Sequence, residues 1–466
     1  MLEAKEDPVS QAQQLLAICV SSHGGCGKVD DAGLDRSSVS CQDSAALCSI
    51  QQSLPRRMLE LSKGTEVLVI DVQAWLLNGT LSLSEVSRYC TLSCRWGDTA
   101  HNCVLKAPFA RQISINIESM PQTFRDAIET TRGLGIRFLW IDALCIIQPD
   151  ACGDDVDWNA EGPRMGSIYH NAVCTISATA ALSATCGFLL KTDSERIRAV
   201  PCKVTQHMYD GDARTRWLLP FYLIFGNAVT FSALNERGWV TQEQLLSRRI
   251  LHFTLQGVFW ECCRRKMHGH SSVSHVRDYC PLSWNVSSFE FGDGRRWKEW
   301  MTFVEHYSGT EFTNPEDRLI ALSSLARVVD RNRKYEDSYC AGLWRNSLLD
   351  DLLWMRLELP SSDTPKRMSI APSWSWASLQ GEIRYRHFPS ASSSVQVLDV
   401  HLVPSQCINP YGNIKDGRLK LVAQVATVSI SVATANLGTK VDPPFRIEDK
   451  ANQWYSKLYR SVIWDE

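Results

Sequence analysis

The sequence carries almost no net charge. Its 49 Lys and Arg against 51 Asp and Glu leave a formal −2 over 466 residues, so no basic field draws in nucleic acid or an anionic membrane surface. The first ten residues, MLEAKEDPVS, lack the basic start and apolar stretch of a secretory signal. The cysteines number 17, an odd count without framework spacing, which argues against a disulfide-stapled scaffold. These two absences lead to the expectation of a cytoplasmic protein with reduced thiols, in which the sequons at Asn78 and Asn285 carry no meaning. Long apolar runs are also scarce. The one uncharged stretch, WLLPFYLIFGNAVTFSAL (217–234), has the length of a short membrane span. Pro220, Gly226, Asn227, Thr230 and Ser232 interrupt it, and its aromatic and branched residues suit buried strands; no membrane span is expected. No repeat of 20–50 residues is present.

What remains is globular, with 44% hydrophobic and 21% charged residues and enough chain for two or three domains. Residues 1–64 read as an irregular, Ser-, Asp- and Gly-rich segment. Residues 65–280 alternate between element types: TEVLVIDV and YCTLS as strands, PQTFRDAIETTRGLG as an amphipathic helix, then IRFLWI, the short helix EGPRMGSIYHN and AVCTISATAA. Such alternation of continuous apolar strands with helices implies βαβ units and a parallel sheet covered on both faces. Ligands of such sheets sit beyond the strands' carboxyl ends, which places Ser93 to Asp98, Asp142 and the region after Ala178 on one rim. Asn235 is the expected cap of the next helix, on which Trp239, Gln242, Glu243 and Leu246 share a face. RILHFT and VFWEC around LQG read as a β-hairpin. Residues 281–380 are expected to be mainly helical and 381–466 β-rich, so the fold is α/β with an α+β C-terminal region.

Several constellations were weighed for chemistry. GGCGKVD departs from the phosphate-loop pattern at Ser22 and Val29. Cys262, Cys263, His268, His270, His275 and Cys280 include zinc-type ligands but no C-x2-C pair, and scattered histidines beside a buried cysteine fit better; no metal site is assigned. DDVDWNAEG lacks the glycine and terminal acid of a calcium loop at Ala160 and Gly166 and reads as a solvated acidic loop ahead of a helix. There is no nucleophile elbow; Cys94 and Cys145, near the rim, read as inert thiols. Glu243, beside Trp239 and Leu246, is the carboxylate whose desolvation would raise its pKa and suit it to acid–base or cation-stabilising work.

These stretches closely resemble fungal heterokaryon-incompatibility (HET) domain proteins. The matching blocks are YCTLSCRWGD (89–98), PQTFRDAIETTRGLGIRFLWIDALCIIQ (121–148), EGPRMGSIYHNAVCTISA (161–178), CGFL (186–189), ERGWVTQEQLLSRRILHF (236–253) and FWEC (259–262). FTNPEDRLIAL, YCAGLW and APSWSWAS are usual companions in longer members. The family usually has Leu at Met120, an aliphatic residue at Phe124, Tyr at Cys94 and Ser at Ala143. The resemblance implies a role in self/non-self recognition and programmed cell death, and a distant likeness to Toll/interleukin-receptor (TIR) domains with their flavodoxin-like parallel sheet. Some TIR domains cleave NAD with a glutamate four residues after a tryptophan, the spacing of Trp239 and Glu243.

On that analogy NAD is a candidate substrate rather than a cofactor, and Glu243 the catalytic residue. Ser93, Cys94, Arg95, Trp96, Gly97, Asp142, Trp239 and Gln242 would form the ligand-binding set. The expected partner is a second copy of the chain or an incompatibility partner protein. Two other readings stand beside this one: a non-catalytic oligomerisation module, and a tailoring enzyme of a secondary-metabolite cluster that reuses the fold.

Overall fold

The computed structural model of the chain describes residues 7–23, 26, 54–61, 64–97, 105–106, 112–148, 155–189, 202–207, 213–218, 225–262, 266–268, 297–331, 336–357, 366–385, 395–423, 429–432 and 445–448. The chain divides into two units. Unit 1 comprises Met1–Glu290, Glu311–Thr313 and Ile320–Val329, and unit 2 comprises Phe291–Thr310, Asn314–Leu319 and Asp330–Glu466.

The strands of unit 1 are β1 (Arg57–Glu60), β2 (Glu66–Asp71), β3 (Tyr89–Ser93), β4 (Gln112–Asn116), β5 (Phe138–Trp140), β6 (Cys174–Ser177), β7 (Cys202–His207), β8 (Ala213–Leu218), β9 (Arg249–Thr254), β10 (Gly257–Cys262) and β11 (Lys266–His268). The helices that matter for the site are α1 (Pro8–Ser22), α2 (Gln122–Gly133), α3 (Val156–Glu161), α4 (Met165–Asn171) and α5 (Gly238–Leu246). Nine strands form one sheet in the order β11-β10-β9-β6-β3-β5-β1-β2-β4. The expected parallel core is present: β3 pairs in parallel with β5 and β6, and β6 with β9. All residues of β3, β5, β6 and β9 are buried, which is why they read as unbroken apolar runs rather than alternating ones. Antiparallel ribbons flank this core, β1, β2 and β4 beyond β5 and β10 and β11 beyond β9. In chain order the parallel strands lie 2-1-3-4, the order of flavodoxin-like sheets.

Helix α2 shows how local sequence becomes packing. Phe124, Ala127, Ile128 and Thr131 turn inward together, as their spacing requires. Asp126 is buried among them, and one carboxylate oxygen accepts the backbone N–H groups of Phe188 (2.6 Å) and Leu189 (2.9 Å). Gly187 makes that approach with φ +72°, and an added Cβ would meet Gln122 and Asp126 at 2.6 and 2.7 Å. Asp126 and Gly187 therefore dock the CGFL block onto the helix.

The segment 1–64 is not irregular throughout. It supplies α1, capped by Asp7 through the amides of Val9 (2.9 Å) and Ser10 (3.1 Å), with Pro8 in the first turn, where its missing N–H costs nothing. It also supplies β1, placed inside the sheet between β5 and β2. β1 is RMLE, a buried strand with a charge at each end. Charged letters on four residues conceal a core strand, and both charges survive burial only because each has a partner. Arg57, 1% exposed, donates to Asp157 (3.0 Å) and to the Cys145 carbonyl (3.1 Å), while Glu60 accepts from Arg137 at 2.7 Å.

Two further expectations need correction for the same reason. DDVDWNAEG is no solvated loop: Asp157 and Glu161 are buried on α3, bound to Arg57 and Arg164. Of the run 217–234, Trp217 and Leu218 end strand β8, while Gly226–Thr230 is a single π-helical turn rather than strand, with Phe225, Ala228 and Val229 packed on Phe259. Among the described residues no helix is long and apolar enough to cross a membrane.

Unit 2 centres on tryptophans. The indole N–H groups of Trp300 and Trp376 both donate to the Gly342 carbonyl, at 3.0 and 3.2 Å. Gly342 has φ +94°, and a Cβ there would meet Trp376 Nε1 at 2.6 Å. YCAGLW and APSWSWAS thus form one buried cluster. A two-stranded ribbon, Gln396–Pro404 with Ile414–Val422, follows.

Removing one member of a buried ion pair strands the other. Asp157→Ala is expected to cost about 3–5 kcal/mol in urea unfolding. Glu382→Ala, which breaks the exposed pair with Arg384 (41% and 53% side-chain exposure), should cost less than about 1 kcal/mol.

Candidate functional site

The strand order reverses between β3 and β6, where Ser93 lies opposite Ser177. The parallel neighbours of β3 that follow it in the chain lie on opposite sides of it, the arrangement at which ligands of open α/β sheets bind. Helix α5 reaches this place from one side and the turn after β5 from another.

The N-terminus of α5 is held closely. Asn235 does not cap it; its amide donates instead to the Val229 carbonyl (2.9 Å) and accepts from Gln244. Arg237 occupies the cap position without a side-chain capping bond, and its guanidinium donates to the Cys94 carbonyl just past β3. Gly238 admits the ring of Phe312, which any Cβ would meet at 1.9 Å. α5 then buries Trp239, Gln242 and Glu243, with Trp239 edge-on to Trp158 at 5.6 Å.

Glu243 is 3% exposed. Burial pushes its carboxyl from 4.5 up to about 7; the Arg237 guanidinium pulls it down, Asp142 pushes it further up, and the Ser93 and Tyr169 hydroxyls favour the charged form. Although those hydroxyls are near, Oε2 makes no hydrogen bond of normal geometry among the described residues. The Tyr169 hydroxyl is committed to the Leu92 carbonyl at 2.9 Å. Asp142 is likewise raised, by burial above all and against the pull of Arg237. Its Oδ1 accepts the Ala143 amide (2.8 Å) and the Trp96 indole N–H (3.2 Å).

The structure thus brings Ser93, Cys94, Asp142 and Glu243 around Arg237 and Tyr169. Trp96 reaches the cluster through Asp142, and Gln242 is the residue preceding Glu243. The Cys94 thiol is buried and its pKa lies well above 9, burial being the main cause; Cys145 is buried too and pushed up to about 12. Both are inert thiols by this criterion. Arg95 turns away, donating to the Ala233 carbonyl (2.6 Å) and to Glu236 (3.2 Å). Gly97 has φ +68° and would clash with Ser183 if it bore a Cβ, so it shapes the turn. Asp98 lies outside the described residues, as do Cys263, His270, His275 and Cys280.

Sequence reasoning placed neither Tyr169 nor Arg237 among the site residues, yet both charge or polarise the cluster. Each stands inside a motif block, SIYHN and ERGW, and that was the available signal. Residues 89–243 match the family model described as heterokaryon incompatibility protein (HET). The chain carries a HET domain. No curated protein and no solved structure matches the chain. The HET match opens on the first residue of β3 and ends on Glu243, so all the residues of the cluster fall within it.

Within the HET domain, the buried side-chain atoms without a hydrogen-bond partner among the described residues include Ser93 Oγ, both amide atoms of Gln242 and Glu243 Oε2, beside others such as Thr130 Oγ1 and Ser232 Oγ elsewhere in it. Buried polar atoms are paired in the great majority of cases, so each exception is a place where a ligand or water can complete the bonding. The raised carboxyl also sets a pH dependence. A folded-state pKa of about 7 against 4.5 unfolded means the stability contribution is full below pH 4.5 and is lost as pH rises through 7. Glu243→Gln removes that loss. Thermal unfolding should show the variant close to wild type at pH 5 and more stable at pH 8, by about 3 kcal/mol. An equal offset at both pH values would contradict it.

Proposed function

We propose that this HET-domain protein acts in incompatibility-type self/non-self recognition by breaking the glycosidic bond of NAD, with Glu243 as the catalytic carboxylate. The observation that carries the reading is the buried Glu243 carboxyl, its pKa raised to about 7 and its Oε2 without a hydrogen-bond partner among the described residues, beside Ser93 at the end of β3, the switch-point strand of a 2-1-3-4 sheet. TIR domains share the flavodoxin-like order and a glutamate four residues after a tryptophan; that likeness supports the reading as analogy. In the reaction the ribose–nitrogen bond breaks with its electron pair moving to the nicotinamide, which leaves neutral. The oxocarbenium-like ribose is stabilised by the Glu243 carboxylate through the sugar hydroxyls, and water then adds to give ADP-ribose and a proton. Gln242 and Ser93 would bind ribose hydroxyls, and Trp239 would shape the pocket wall. The carboxylate form does this work, so turnover rises as pH passes through about 7. A cytoplasmic location supplies NAD, and association with a second copy or a partner protein would act as the trigger.

One observation favours a second reading, a recognition module without chemistry: Glu243 is only 3% exposed. In that case Arg237, Asp142 and Glu243 serve to hold α5 against β3. Incubating concentrated protein with NAD and following nicotinamide release separates the two. Catalysis predicts turnover that falls at least about 100-fold in Glu243→Gln while the variant stays folded. No release, or equal release by the variant, leaves the recognition module.

A further inference from the structure

The stretch CVSSHGGC (19–26) plays no part in the site above, and neither does Cys262 at the end of β10. The fold brings them together. Cys19 and His23 lie four residues apart at the end of α1, on one helical face, and the His23 amide closes on the Cys19 carbonyl at 3.0 Å. The Cys26 amide then donates to the His23 carbonyl at 3.0 Å, curling the third residue back toward the first two. Across the contact, Cys262 Sγ lies 3.5 Å from His23 Nδ1. The three sulfurs and the imidazole nitrogen all lie within 4.8 Å of one another. Cys19 and Cys26 are fully buried, and Cys262 is 9% exposed.

We propose that Cys19, His23, Cys26 and Cys262 form a structural zinc site. Four ligands and no open position is the arrangement of structural rather than catalytic zinc. A tetrahedral zinc with bonds of about 2.0–2.3 Å needs its ligand atoms roughly 3.3–3.8 Å apart, so the four residues need only draw in slightly. Charge supports the assignment. The three thiols bind as thiolates and release their protons, and with the dication they leave a net charge of −1. Arg249, 6% exposed, places its Nε 3.4 Å from Cys19 Sγ. Its other end is fixed by a bond to the Val173 carbonyl at 3.2 Å. The guanidinium both neutralises the complex and donates to a ligand sulfur, as the surroundings of bound metals commonly do. The metal would pin α1 to β10, the strand that pairs with β9 directly after α5.

Cys262 belonged to the zinc-type set considered in the sequence; among the described residues its companions are Cys19, His23 and Cys26. The ligands are 236 positions apart (26 to 262), beyond the reach of spacing rules.

The test uses the full chain, purified without chelator and assayed for metal by plasma mass spectrometry. The expected content is about one zinc per chain. Replacement by Co2+ should give thiolate-to-cobalt charge-transfer bands and the intense visible bands of a tetrahedral site. Cys26→Ser should lose zinc, whereas Cys407→Ser, an exposed cysteine in unit 2, should retain it. Cys26→Ser removes a ligand from a buried site, so His23→Cys provides a second reading that does not depend on its folding: it keeps four ligands, should retain zinc, and should shift the cobalt spectrum toward that of four thiolates. Zinc-free protein with no tetrahedral cobalt spectrum overturns the site. So do unchanged zinc in Cys26→Ser, and a disulfide among these three cysteines found by mass spectrometry of protein alkylated under native conditions.

Discussion

The parallel pairing of β3 with both β5 and β6 is the constraint on which the HET domain depends. One central strand has its chain-order successors on opposite sides, so the crossovers must leave in opposite directions. The carboxyl end of β3 is the switch point of the sheet. Ser93, Cys94 and the CRWG turn are delivered there by strand geometry alone. α5 then closes over that place with a face of mixed character, an indole, an amide and a carboxyl. The low polarity that makes Glu243 costly to ionise comes from this closure, since the same packing that buries Trp239 and Leu246 removes water from the carboxyl.

What was legible in the sequence follows from range. β3, β5, α2 and the β9–β10 hairpin depend on periodicity, propensity and turn chemistry within a dozen residues, and all four are present. The parallel core could be read because continuous apolar strands alternate with helices. The antiparallel ribbons on both sides of it could not, because pairing β1 with β5 joins residues about eighty positions apart and leaves no local mark. β1 was hidden twice over, since its two charged residues have partners that only tertiary structure reveals. Glu243 and Trp239 could be singled out as candidates from a motif and a spacing. Tyr169 and Arg237 were not given their parts, because a side chain's direction is decided by what packs behind it. Asn235 shows the reverse error: a good capping residue whose amide is taken by the π-turn carbonyls.

The N-terminal segment changes character once its contacts are known. As sequence it is polar and cysteine-spotted. As structure it places a helix beside the hairpin after α5 and a strand in the middle of the sheet. The HET match begins at Tyr89, yet β1 and β2 lie between β5 and β4 in the same sheet. The sheet is therefore larger than the matched family block, and the block alone would expose the outer edge of β5.

Arg95 carries a further consequence. In CRWGD it looks like a guanidinium waiting for a phosphate, but it already holds the Ala233 carbonyl and Glu236, with Glu311 at 3.9 Å. Both of those hydrogen bonds leave from Nη1, so one corner of the planar fork is spent on holding the turn that leads into α5. An anion arriving at this rim would meet the remaining N–H edge of a guanidinium already fixed in direction, and would be read by a group whose orientation is set by the chain entering the helix that bears Glu243.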